Sequence, residues 1–253
     1  MIQSRRRFFR EAGLLGLGFA GVVLAACGPA KPEVTATAVS VSSLTPAAPS
    51  ASPTATPAAV RYDPDLHVLV DKQRVLPDGF TPPNVEVIPD AWEAGDASGQ
   101  RLRADVIAAM QPMVKAAKAD GVDLRVESAY RSYNEQVRTF AYWVSVLGEA
   151  QARRESAVPG HSEHQLGTTL DFADASNRWE LVESFAGTPS GKWLAANAYK
   201  YGFAMSYPPG GEPITGYVYE PWHFRYIGVP AAEAWHASGK TLIEFLEALK
   251  ARS

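Results

Sequence analysis

Cysteine is all but absent. The 253-residue chain carries one, Cys27, which excludes an intrachain disulfide framework. Histidine is scarce too, with His67, His161, His164, His223 and His236 making up the whole set. A basic excess is also missing. Of 24 Lys and Arg and 27 Asp and Glu, residues 1–60 hold five and two, so the remainder is net acidic and lacks a nucleic-acid footprint. No internal repeat is visible. The apolar run from Gly13 to Ala26 falls short of the ~20 residues that span a bilayer.

That run follows a charged start ending at Arg10 and suits the h-region of a signal peptide. Ser4-Arg5-Arg6-Arg7-Phe8-Phe9-Arg10 resembles a twin-arginine export signal. Leu24-Ala25-Ala26-Cys27 resembles the bacterial lipoprotein processing box, in which the cysteine receives lipid and becomes the new N-terminus. Residues 1–27 are therefore read as a lipoprotein signal peptide and Cys27 as the lipidation site. Residues 28–60, nearly all Pro, Thr, Ser, Ala and Val, bury too little apolar surface to offset their ordering entropy and read as a disordered tether. The expected product is an extracytoplasmic domain, residues 61–253, anchored by lipid to the bacterial cell membrane.

Within that domain the patterns mix helix and strand. Leu66, Val68 and Val70 alternate like a strand. Helical spacing runs from Arg101 to Asp120 through Leu102, Val106, Met110 and Met113, with Pro112 predicting a kink or a late start. Leu124, Val126 and Ser128 alternate as a strand, and Ser132 with Glu135 forms a capping box that opens a helix through Trp143. Thr168–Phe172 reads as a strand, Thr188-Pro189 as a helix start. Further strands are expected at 203–207, 217–219 and 224–227, and helices at 231–237 and 242–249. The order makes an α+β fold, a mainly antiparallel sheet flanked by helices, in a single domain.

The chemistry concentrates in two stretches. Gly160-His161-Ser162-Glu163-His164 leads to Asp171, and Glu220-Pro221-Trp222-His223 follows downstream. His164, Asp171 and His223 together make the three-ligand set of a catalytic zinc site, with a fourth position open. Asp171 interrupts an otherwise apolar strand, where a lone carboxylate is costly unless paired or metal-bound. Glu220 and His223, three apart, face opposite ways on a straight strand. Pro221 breaks the ladder, so a turn or bulge there brings both to one site. His161 reads as an exposed loop residue.

Ser128-Ala129-Tyr130-Arg131-Ser132, Ser162-Glu163-His164 through Asp171, Tyr207-Pro208, Thr215-Gly216 and Glu220-Pro221-Trp222-His223-Phe224-Arg225-Tyr226 occur in this order. From about Ala97 to Lys250 the chain thereby resembles the VanY-type D-alanyl-D-alanine carboxypeptidases, a group that includes the LdcB-type L,D-carboxypeptidases. The resemblance implies one zinc ion held by His164, Asp171 and His223, with Glu220 as catalytic base. It places Arg131, Gln136, Ser162, Tyr207 and Trp222 around the C-terminal residue of the substrate. Arg131 has two open roles, a clamp on the substrate carboxylate or a stabiliser of the oxyanion. The expected substrate is a peptidoglycan stem peptide, and the chain is read as a monomer. One departure is Thr169, where the family usually has Ala; a packing change without loss of metal is expected. Rival readings are an L,D-carboxypeptidase acting on tetrapeptide stems, a dipeptidase or endopeptidase on a similar scaffold, and a wall-binding lipoprotein without turnover.

Overall fold

The computed structural model describes residues 60–253. The expected export signal, the expected lipidation site Cys27 and the expected tether up to residue 59 lie outside the described residues. Two short strands, β1 (Val85–Val87) and β2 (Arg101–Arg103), pair antiparallel. The helix α1 (Ala104–Ala119) then begins later than its apolar spacing implies, because Arg101–Arg103 are held in the ladder with β1. Pro112 sits inside this helix. Val106, Met110, Met113 and Ala117 form its buried stripe.

Strand β3 (Arg125–Ser128) leads to α2 (Tyr133–Leu147), whose N-terminus carries the full capping box between Ser132 and Glu135. A short helix the sequence reading missed, α3 (Glu149–Glu155), follows after Gly148. Then come β4 (Thr169–Ala173), α4 (Pro189–Asn197) and β5 (Phe203–Met205). The chain closes with α5 (Glu212–Thr215), β6 (His223–Tyr226), α6 (Val229–Ser238) and α7 (Leu242–Lys250).

The main sheet is antiparallel throughout, in the order β3-β4-β6-β5. The α+β expectation therefore holds. Two expected strands do not form: 66–70 opens with a turn and a bend at Leu66 and His67, 217–219 opens with a bend at Tyr217, and neither pairs with a strand among the described residues. The sheet's two faces carry different chemistry. Along β4, Leu170 and Phe172 join the core with Val106, Met110, Val126 and Phe224. The intervening Asp171 then projects to the opposite face, because side chains alternate along a strand. Asp171 pairs in register with His223 on β6 and with Ser128 across an irregularity in β3. The alternation that builds the core thus also sets Asp171 beside His223, with Arg225 two residues on.

Candidate metal centre and active site

His164 comes from a single 3-10 turn, Glu163–Leu166, closed by Gly167 at φ +69°. A Cβ on Gly167 would lie 3.1–3.3 Å from Pro82 and Arg103, so both conformation and space favour glycine there. The turn sets His164 against the start of β4. On the other side, His223 N–H donates to the Glu220 carbonyl (3.1 Å) and Glu220 N–H to the Tyr207 carbonyl (3.1 Å). This closes the turn that Pro221 predicted and brings the Glu220 carboxylate within 3.5 Å of His223 Nδ1.

His164, Asp171 and His223 are all buried, and their ligand atoms lie within 4.8 Å of one another. Each imidazole has one nitrogen tied back and one turned inward. His164 Nδ1–H donates to the Ala129 carbonyl (2.7 Å), leaving Nε2 3.4 Å from Asp171 Oδ2. His223 Nε2–H donates to Glu163 (3.0 Å), leaving Nδ1 3.1 Å from Asp171 Oδ1. A carbonyl can only accept, so His164 carries its proton on Nδ1 and turns Nε2 inward. His223 lies between the Glu163 and Asp171 carboxylates, with Nδ1 the nitrogen that faces the other two residues. Two inward nitrogens and a buried carboxylate fit a divalent ion of the zinc type.

The electrostatics of the protein alone follow from the same contacts. Burial disfavours charge on Asp171, yet His164 and His223 hold its carboxyl well below the usual range. Burial brings the His164 pKa down to about 4 against the pull of Asp171. For His223, burial is outweighed by hydrogen bonds to Asp171 and Glu163, and its pKa rises to about 10. Glu163 is lowered to about 2: burial opposes ionisation, but Arg225 and His223 overcome it.

The three ligand residues and Glu220 open into one cavity, whose walls include Arg131, Gln136, Ser162 and Tyr207. Gln136 is fully buried and donates from Nε2 to the Ala157 carbonyl (2.6 Å), while its Oε1 has no hydrogen-bond partner among the described residues. The Tyr207 ring lies 4.7 Å from that of His223. Trp222 is elsewhere. It packs in the main core and does not line the cavity, although its backbone carbonyl accepts from Phe172 N–H (3.0 Å) in the sheet. His161 is half-buried, its Nδ1 2.6 Å from the Asp71 carbonyl, and stands outside the ligand group.

The sequence patterns assign no site role to Tyr217, which lines the same cavity and whose buried hydroxyl has no hydrogen-bond partner among the described residues, or to Glu155, Ser156 and Ala157, which line it from the end of α3 onward. Both belong to stretches whose place is set only by the tertiary fold.

Thr169 is fully buried beside this centre, and its hydroxyl makes no hydrogen bond among the described residues. An unpaired buried hydroxyl costs about 1–3 kcal/mol. Thr169→Val, of nearly the same shape, is therefore expected to raise stability by about 1 kcal/mol, with zinc content unchanged. Denaturant unfolding and metal analysis check both halves.

Residues 99–229 match the family model of VanY, D-alanyl-D-alanine carboxypeptidase. YodJ of Bacillus subtilis is 43% identical over 188 residues, covering 74% of this chain and 68% of that protein. The structure of the LdcB LD-carboxypeptidase superposes with a TM-score of 0.65 at 43% identity, over 71% of this chain and 84% of its own. A VanY variant solved with Zn(II) and VanYB solved with D-alanine-D-alanine each give a TM-score of 0.61, at 30% and 31% identity. Both cover 72% of this chain, and 99% and 97% of their own. With its metal-site geometry and more than half its length matched, the chain belongs to the VanY family of D-alanyl-D-alanine carboxypeptidases.

Proposed function

We propose that this protein is a zinc carboxypeptidase that releases the C-terminal D-alanine of peptidoglycan stem peptides. One observation carries the reading. Two inward-facing imidazole nitrogens and the Asp171 carboxylate converge, buried, in a cavity that also holds Glu220 and Arg131. His164, Asp171 and His223 would hold the zinc, which when bound supplies Lewis acidity, polarising a peptide carbonyl and acidifying water.

The residues of the chain do the rest. Glu220 takes the proton of the attacking water and delivers it to the departing amine. Arg131 either clamps the terminal carboxylate or steadies the oxyanion as charge develops. Gln136 Oε1, without a hydrogen-bond partner among the described residues, is an acceptor for a substrate N–H, and Ser162 and Tyr207 line the same space. Trp222, off the cavity wall, contributes through packing behind the turn that presents Glu220.

The D-alanine-D-alanine in the VanYB structure supports a D,D substrate. A second reading, cleavage of the L,D bond of tetrapeptide stems, is favoured by the higher identity to the LdcB structure. Mass spectrometry of synthetic pentapeptide and tetrapeptide stems separates them. Loss of one alanine from the pentapeptide is the expected result, loss only from the tetrapeptide selects the L,D reading, and loss from neither sinks both.

The cellular setting follows from the sequence features. Lipid on Cys27 would anchor a monomeric enzyme outside the cell membrane, and residues 28–60 would let it reach the wall. Among the described residues no helix is long and apolar enough to cross a membrane. Metabolic labelling with a fatty-acid probe, lost in Cys27→Ala, is the expected signature of the anchor.

A further inference from the structure

We infer that Glu163 is a positioning residue of the metal centre, orienting His223 from behind while Arg225 and the segment before β1 hold it in place. Its two oxygens are used separately. Oε2 accepts from His223 Nε2 (3.0 Å) and from Ser206 Oγ (2.5 Å), and Oε1 accepts from Arg225 Nη1 (2.9 Å). A carboxylate serving only to neutralise the guanidinium would take it with both oxygens, in the bidentate geometry that maximises the pair. Here the second guanidinium nitrogen is spent instead on the Leu66 and Val68 carbonyls, at 2.9 and 2.7 Å.

The consequence is directional. Arg225 is fully buried and anchored to two backbone oxygens, so it fixes Oε1; Ser206 then fixes the angle at which Oε2 meets His223. That contact in turn holds His223 with Nδ1 facing Asp171. Outer hydrogen bonds of this kind set ring orientation and ligand basicity at metal sites. Glu163 immediately precedes His164, so one turn supplies a ligand and the orienter of the other ligand. Leu66 and Val68 precede the family-matched residues 99–229, which makes the N-terminal segment a structural part of this arrangement.

The inference rests on the reading of His164, Asp171 and His223 as the metal centre, and its test reads metal without peptide. In the full chain, Glu163→Gln keeps the shape but offers one acceptor oxygen, too few for Arg225, Ser206 and His223 together. Competition against a chromogenic chelator is expected to show zinc dissociation constants about 10- to 100-fold higher than wild type. The visible spectrum of the cobalt(II)-substituted variant should shift, and at saturating zinc the KM for a D-Ala-D-Ala peptide should stay unchanged while kcat falls. A folded Glu163→Gln with wild-type zinc affinity and an unchanged cobalt spectrum overturns the inference alone; a wild-type chain that binds no zinc overturns the metal centre with it. If Glu163→Gln does not fold, Ser206→Ala decides. Removing one of the contacts that fix Oε2 should weaken zinc binding several-fold, and an unchanged affinity overturns the inference.

Discussion

Glu220→Ala is expected to keep its zinc and to lose turnover of peptides ending in D-Ala-D-Ala by about 10²–10⁴-fold, the range that general acid–base groups contribute. Zinc is retained because Glu220 stands outside the ligand group, which is complete without it. Turnover falls because the Glu220 carboxylate, within 3.5 Å of His223 Nδ1, lines the cavity beside the three ligand residues without belonging to their group. The turn closed by His223 N–H on the Glu220 carbonyl is a backbone feature and survives truncation of the side chain. Glu220→Gln, with the same volume and no basicity, should be as inactive. Equal turnover in either variant would remove Glu220 as the base. Loss of zinc together with turnover would move it into the metal shell. Measuring bound zinc and kcat on the same preparations distinguishes these outcomes.

How much of this was legible in the sequence depends on the range of the interactions. The ligand set could be read because His164, Asp171 and His223 sit in short motifs. β4 could be read because Leu170 and Phe172 alternate with it, and one period fixes both the core face and the site face. The turn at Glu220 followed from the missing N–H of Pro221. The expected strand at 66–70 failed for a related reason. Its alternation is real, but it pairs with no strand among the described residues, and the Leu66 and Val68 carbonyls are taken by the Arg225 side chain instead. The same holds at 217–219, where Val218 N–H meets the Arg154 carbonyl rather than a strand. Arg101–Arg103 carry helical spacing yet pair with β1, a tertiary choice that local pattern does not encode. Glu163 and Arg225 stood in plain view inside recognised motifs, but their pairing joins residues far apart in the chain. The family resemblance implies Trp222 as a substrate contact; it packs instead in the main core, off the cavity wall, beyond the turn that carries Glu220.

Asp171→Asn should separate metal binding from folding. Asp171 is the residue both histidines face, through Oδ2 to His164 Nε2 and Oδ1 to His223 Nδ1. An amide offers one neutral oxygen and an NH2 group without a usable lone pair, so the variant loses both the charge and one of the two acceptors. The loss of zinc affinity should therefore exceed the 10- to 100-fold that outer-sphere changes produce, and turnover should vanish with the metal. The fold should persist, since Leu170 and Phe172 still fill the core and Glu163 still faces His223 Nε2. Thermal unfolding reads the separation directly. In the wild type, zinc at about 100 times its dissociation constant adds about 2.7 kcal/mol, and each kcal/mol raises the Tm of a domain this size by about 2–4 °C. In Asp171→Asn the same zinc should leave the Tm where it is, whereas in Glu220→Ala it should raise the Tm as in the wild type. A zinc-dependent Tm rise of wild-type size in Asp171→Asn would mean that the ion sits elsewhere. Persistence of the rise in Glu220→Ala alone would show that the two carboxylates, both buried in one cavity, divide the work into holding the metal and moving the proton.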